Sequence, residues 1–211
     1  MNPDTLHDAI KHLRKDPGLA PLIKKYPRPD FDSGRKNHNP FQSLARAIIF
    51  QQLSGKAAKT IFDRFCALYP NKKFPLPNDV LKTTDAKLRQ VGVSAQKAGY
   101  LKDLALKCTD GTINSRRFPR MSDEEIRSHV IAVKGVGPWT ADMFLMFTLG
   151  RSDVLPTGDL GIQKGMQRLF NMKALPTAEK MQKLSEAWRP YRTVACWYLW
   201  RLADEGNSNR P

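Results

Sequence analysis

The 211 residues carry 35 Lys and Arg against 20 Asp and Glu, a formal net charge of +15, so the default partner is a polyanion, nucleic acid before acidic membrane surface. A hydrophobic fraction of 41% with four Trp and ten Phe excludes a wholly disordered chain, and a chain this long can bury a core without disulfide or metal. The longest apolar runs, such as 143–147, are too short for a membrane span.

Met1-Asn2-Pro3-Asp4 lacks the charged-then-apolar layout of a secretory signal. Cys66, Cys108 and Cys196 form no C-x-x-C pair, which points to a reducing compartment and no zinc knuckle.

Apolar residues recur at helical spacing nearly throughout. Leu6, Ala9, Ile10 and Leu13 form the first stripe, and Phe41, Leu44, Ala45, Ile48 and Ile49 the next. Residues 27–39 are the longest irregular connection. Ser54 is a candidate N-cap for a helix carrying Ala57, Ala58, Ile61, Phe62, Phe65 and Leu68. A short helix through Leu88 and Val91 ends at Gly92, and Ser94 starts the next, carried by Ala98, Leu101, Leu104 and Ala105. Ser122 to Glu125 is a capping box ahead of Ile126, Val130 and Ile131. Pro138 fits the first position of a helix running through Ala141, Phe144 and Phe147 towards Gly150. Three more helices are predicted, over 160–170, 177–188 and 190–203, before a polar tail over 205–211. No alternating run competes as a strand, so the predicted fold is all-α.

Two stretches carry chemistry. In 133–141 (Val-Lys-Gly-Val-Gly-Pro-Trp-Thr-Ala) two glycines one residue apart let the backbone turn tightly and approach a ligand. An isolated Gly-x-Gly is ordinarily a helix–helix turn. Here the helix that follows presents free N–H groups and a positive dipole end, and Lys134 and the basic charge favour a phosphate clamp of helix-hairpin-helix form. In 153–162 Asp159 immediately precedes the stripe Leu160, Ile162, Met166, Leu169, Phe170. Spacing alone makes it an N-cap; a cap can also hold a carboxylate at the rim of a cleft.

Joined, these features resemble the helix-hairpin-helix DNA glycosylase superfamily, and within it the alkylpurine branch, the DNA-3-methyladenine glycosylase II type. The residues carrying the resemblance are Gln51-Gln52-Leu53-Ser54 with Lys56-Ala57-Ala58, the hairpin 135–141, Leu155-Pro156 with Asp159, Arg189 to Thr193, and Trp197 to Arg201. They span residues 40 to 202. The chain is too short for the N-terminal β-domain of larger bacterial members and resembles the compact ones.

The resemblance implies two helical subdomains flanking an active-site cleft within one glycosylase domain, residues 1–204. It makes Asp159 the catalytic carboxylate and Trp139, Trp200 and Met143 the base pocket. Leu53 becomes the wedge that fills the stack after base flipping, with Gln52 and Ser54 on the minor-groove side. Lys134, Gly135, Val136, Gly137 and Thr140 form the phosphate-binding hairpin, and main-chain carbonyls of Ile131, Val133 and Val136 hold a structural Na+ or K+. By residue type alone, Trp139, Trp200 and Leu53 would be ordinary core residues, and the four His and remaining Trp surface and packing groups respectively. Three departures narrow the expectation. Trp139 stands where lyase-active relatives place a Lys, so no amine is available for Schiff-base attack. The four-Cys cluster motif is missing, so no iron–sulfur cluster is expected. Met143 replaces a family Tyr, which makes the pocket less aromatic on that side. The expected activity is monofunctional hydrolysis of the glycosidic bond of alkylated purines, without a cofactor in the chemistry, by a monomer acting on damaged double-stranded DNA in the nucleoid or nucleus. The rival readings are a non-catalytic binder of abasic or distorted DNA and a structural DNA-bending protein.

Overall fold

The computed structural model describes residues 1, 3–31 and 39–205, and among them the chain is helical with no strand. Residues 32–38 of the expected long connection and 206–211 of the expected tail lie outside the described residues. The chain folds as two compact units, Met1–Lys36 together with Leu145–Pro211, and Asn37–Phe144. No helix among the described residues is long and apolar enough to cross a membrane.

In chain order the first unit holds α1 (Pro3–Leu13) and α2 (Leu19–Lys25), and after the second unit α10 (Leu160–Leu169), α11 (Ala178–Leu184) and α12 (Arg192–Glu205). The α12 helix is the axis of this unit and packs against α1, α2 and most extensively α10. Val194, Ala195, Cys196 and Leu199 are fully buried on it, as are Ile162 and Met166 on α10. The close approach has one cause: at Gly165 a Cβ would lie 2.4 Å from the Leu199 carbonyl oxygen, so only glycine admits the α12 backbone there. Trp188 is fully buried, donates to Asp16 at 2.8 Å and stacks on Phe170, as expected of a packing residue.

The second unit holds α3 (Pro40–Phe50), α4 (Gly55–Ala67), α5 (Pro77–Lys82), α6 (Asp85–Gln90), α7 (Ala95–Thr109), α8 (Asp123–Ile131) and α9 (Pro138–Met143). Its axis is α7, which packs on α3, α5 and α6. Leu101, Leu104 and Ala105 of α7 and Leu44, Ile48 and Ile49 of α3 are fully buried, a core from which water is excluded. The caps read from the sequence are formed: Ser54, Ser94 and Ser122 each accept a backbone N–H three residues on, and Glu125 returns the bond to the Ser122 N–H at 2.7 Å.

Three differences from the sequence pattern stand out. The α2 and α5 helices are absent from it: at six or seven residues they show no full apolar stripe, and neither opens on a Ser, Thr, Asp or Asn cap. The helix begun at Pro138 does not continue as one α-helix to Gly150 but widens into a π-helical segment over Phe144–Leu149. The last helix starts at Arg192, not Pro190, and runs to Glu205, whose carboxylate pairs with Lys25 and so belongs to the fold, not the tail.

Candidate active site and nucleic-acid interface

Between α8 and α9 the chain makes the expected hairpin, and its two glycines serve different ends. Gly135 has φ +76°, and a Cβ there would fall 2.1 Å from the Tyr100 ring, so both conformation and space require glycine. Gly137, the N-cap of α9, is extended (φ −98°, ψ 175°) and a Cβ would meet nothing within 4 Å; the space beside its backbone is open. The turn is pinned by the buried side chains of Val133 and Val136, by a bond from the Val136 N–H to the Val133 carbonyl at 3.0 Å, and by Asp103, which accepts the Lys134 N–H at 2.8 Å. Burial pushes Asp103 up, but its bonds from Lys107 and the Lys134 N–H outweigh that and hold the carboxyl below the usual range. The Lys134 side chain is exposed; Thr140 is buried, so what it offers a phosphate is its backbone N–H at the helix start. The arms are joined by Arg127 of α8, which donates to Asp142 of α9 at 2.9 and 2.7 Å. Burial raises the Asp142 carboxyl, and Arg127 works against that.

The loop from α3 to α4 lies against this hairpin. Gln51 donates from Nε2 to the Gly135 carbonyl at 2.8 Å, and the Lys97 ammonium on α7 donates to the carbonyls of Ile49 and Gln51 at 2.8 and 2.7 Å. Gln52 is held at φ +56°, a left-handed conformation uncommon for a non-glycine residue. Leu53 is 39% exposed, so it is not the core residue that its apolar type alone suggests.

In the other unit the loop from Arg151 to Asp159 is fastened to α12. Asp153 accepts bonds from Arg192 at 2.6 and 2.9 Å and from Arg189 at 2.8 Å. Thr193 donates to the Arg151 carbonyl at 2.8 Å and accepts the Val154 N–H at 3.0 Å. The loop delivers Asp159 to the start of α10, where its Oδ1 accepts the Ile162 N–H at 2.9 Å, the N-cap bond the spacing implies. The same Oδ1 accepts the indole N–H of Trp200 at 2.9 Å. The Trp200 ring stacks on Phe147 with centroids 5.8 Å apart, and Gly161 leaves it room, since a Cβ there would sit 2.7 Å from the indole. Asp159 is 8% exposed, so its carboxyl group is largely withdrawn from water, with Oδ1 facing the start of α10 and the Trp200 indole.

The structure thus brings the hairpin together with residues 51–54, and Asp159 together with Trp200. Trp139, at 52% exposure, is not a core aromatic, and Met143 is half-buried. Trp197 is half-buried under the Arg201 guanidinium. Two histidines are not simple surface groups: His12 lies 2.9 Å from the Ala187 carbonyl and His129 lies 2.8 Å from that of Thr112. Burial pushes the Cys108 thiol up to about 12, which leaves it protonated and unreactive near neutral pH. Sequence reasoning missed Lys97, Tyr100 and Asp103. Each looks like an ordinary polar position on an amphipathic helix, and nothing local marks the loop that it meets.

The chain is similar to known proteins in sequence and in fold. Residues 45–190 match the model of the HhH-GPD superfamily base excision DNA repair proteins. DNA-3-methyladenine glycosylase 1 of Schizosaccharomyces pombe is 36% identical over 92% of this chain and 84% of its own length, and the alkylbase DNA glycosidase-like protein mag2 of that yeast is 33% identical over 92% of both. Among solved structures, a DNA-3-methyladenine glycosidase from Bacillus halodurans superposes with a TM-score of 0.84 at 33% identity, covering 95% of this chain and 91% of that one.

Proposed function

Because the chain belongs to the HhH-GPD superfamily of base excision DNA repair proteins, we propose that it is a monofunctional DNA glycosylase that hydrolyses the N-glycosidic bond of alkylated purines in double-stranded DNA. The observation that carries this reading is the fixed Asp159 carboxylate. Cleavage builds positive charge on the deoxyribose, and an anion held in place with its dipoles already arranged stabilises that charge without reorganising. The same carboxylate can orient or deprotonate the attacking water. An N-alkylated purine is already cationic and leaves without a strong general acid, so the protein need supply little beyond this anion and a place for the base. The relatives named for 3-methyladenine support that substrate class.

Before chemistry the nucleotide must leave the stack, at a cost of a few kcal/mol that is least at damaged pairs. Leu53 is the side chain for the vacated space, apolar and exposed on a loop braced against the hairpin, with Gln52 and Ser54 beside it on the minor-groove side. Lys134 and the backbone from Gly135 to Thr140 take the strand's phosphate. Trp139, Trp200 and Met143 are each proposed, by the family resemblance, to contact the base, an electron-rich ring gaining about 0.5–2 kcal/mol against a cationic base. A monovalent cation in the hairpin is part of this reading, on the ground that Ile131 is the last residue of α8, where carbonyls run out of helical partners. Carbonyls of Ile131, Val133 and Val136 would hold it, and it would supply positive charge towards the phosphate. The site of action follows from the substrate: nucleoid or nucleus.

Incubation with methylated DNA should release free 3-methyladenine and 7-methylguanine, and borohydride should trap no covalent complex. Binding to abasic duplex without base release would instead identify a non-catalytic recognition protein, and a trapped complex would contradict monofunctional hydrolysis. Leu53→Ala should weaken binding to an abasic-site analogue roughly five- to tenfold, the worth of a partly buried leucine side chain; unchanged affinity removes the wedge assignment. Trp200→Phe keeps a ring on Phe147 but removes the bond to Asp159. Hydrogen bonds to charged groups are worth about 1.5–3 kcal/mol, so excision should slow by roughly 10- to 100-fold with DNA affinity little changed. An equal loss of affinity would make Trp200 a binding residue only.

A further inference from the structure

We propose that Lys97 is a positioning residue that locks the wedge loop to the phosphate hairpin, so that gripping the strand and filling the emptied stack happen in one register. The proposal rests on the glycosylase reading above.

The final carbonyls of a helix lack intrahelical partners. At the end of α3 two carbonyls, those of Ile49 and Gln51, are taken by the Lys97 ammonium at 2.8 and 2.7 Å. In a chain of net charge +15 an uncommitted lysine would stay in water. This one is half-buried, and burial draws it below the usual lysine range, so desolvation is accepted in exchange for the two bonds. What they secure is the next residue: Gln52 sits at φ +56° without being glycine, a conformation that persists only where its surroundings over-determine it. On one side Gln51 is tied through its carbonyl to Lys97, and through its side chain to the Gly135 carbonyl at 2.8 Å.

The hairpin is carried by the same helix. Tyr100 packs under Gly135 and is itself steadied by Gln96, which donates to its hydroxyl at 2.7 Å, while Asp103 holds the Lys134 N–H at 2.8 Å. Positions 97, 100 and 103 recur every three residues along one side of α7, spanning about 9 Å at 1.5 Å per residue. A rigid helix therefore sets the distance between the loop bearing Leu53 and the turn that takes a phosphate. A wedge held ready avoids the ordering cost that a floppy loop would incur on binding.

The test compares binding to a duplex with an abasic-site analogue and to the same duplex undamaged, with 2-aminopurine opposite the lesion to report unstacking. Lys97→Met should weaken abasic binding about tenfold, leave undamaged binding within about twofold and abolish the 2-aminopurine signal. Lys97→Arg should restore most of the loss. In a Leu53→Ala background Lys97→Met should add nothing, because both act through one wedge. Gln51→Ala, at a partly exposed position, should give about a threefold loss and the same non-additivity; it decides the matter should Lys97→Met fail to fold. Equal weakening on both duplexes, additivity with Leu53→Ala, or retained abasic preference in Lys97→Met overturns the proposal. A wild-type protein that itself shows no abasic preference fails at the parent reading and takes the proposal with it. That result is distinct from a preference present in wild type and unmoved by the variants.

Discussion

Asp159→Asn is expected to slow single-turnover release of 3-methyladenine by roughly 100- to 1,000-fold, the range seen when one preorganised electrostatic group is removed from a transition state. The substitution isolates charge. Asn caps helices about as well as Asp, and its carbonyl oxygen can still accept the Ile162 N–H and the Trp200 indole N–H that now meet on Oδ1. Thermal stability should therefore fall by no more than about 1 kcal/mol, the worth of a charge at a helix N-terminus, and binding to an abasic duplex should hold. Rate, stability and affinity then separate cleanly. Excision within tenfold of wild type in the folded variant would show that the carboxylate is a cap and nothing more.

Gly165→Ala should lower stability by about 3 kcal/mol, near the upper end for overpacking, or roughly 6–12 °C in Tm for a chain of this size. Two effects compete. Alanine gains about 0.8–1.0 kcal/mol of helix propensity over glycine, which by itself would stabilise α10. Against that, the new Cβ would lie 2.4 Å from the Leu199 carbonyl oxygen and 2.9 Å from its carbonyl carbon, backbone atoms that cannot rotate aside. Relief requires α10 and α12 to separate, along with the buried face they share. Since α10 begins at Asp159 and α12 carries Trp200, the bond between those two should loosen as well. The control is Gly99→Ala on α7, where a Cβ meets nothing within 4 Å; there propensity acts unopposed and stability should rise slightly. Calorimetry on both variants gives opposite signs if the helix contact is as tight as described. A Gly165→Ala protein as stable as wild type would refute the packing.

The contrast between these two glycines shows what local sequence conveys. Both stand inside helical patterns, and only the neighbouring helix distinguishes the tolerant position from the intolerant one. Likewise Leu53 and Ile49 are apolar residues four apart, yet one is 39% exposed and the other fully buried, because the chain leaves helical geometry at Gln51. The π-helical segment at Phe144–Leu149 falls in a run whose spacing suits an α-helix equally well.

Sequence alone determined the helical class, the capped helix starts and the hairpin, because caps, periodicity and glycine placement act over a few neighbouring residues. It also singled out Asp159, through an N-cap position and a resemblance that extends over most of the chain. Tertiary structure decided the partnerships: the Trp200 indole on Asp159 across 41 residues, Lys97 on the end of α3 across 46 and 48, and Arg192 on Asp153 across 39. A hydrogen bond depends on where two atoms meet in space. Separation along the chain leaves that undefined until the core has closed.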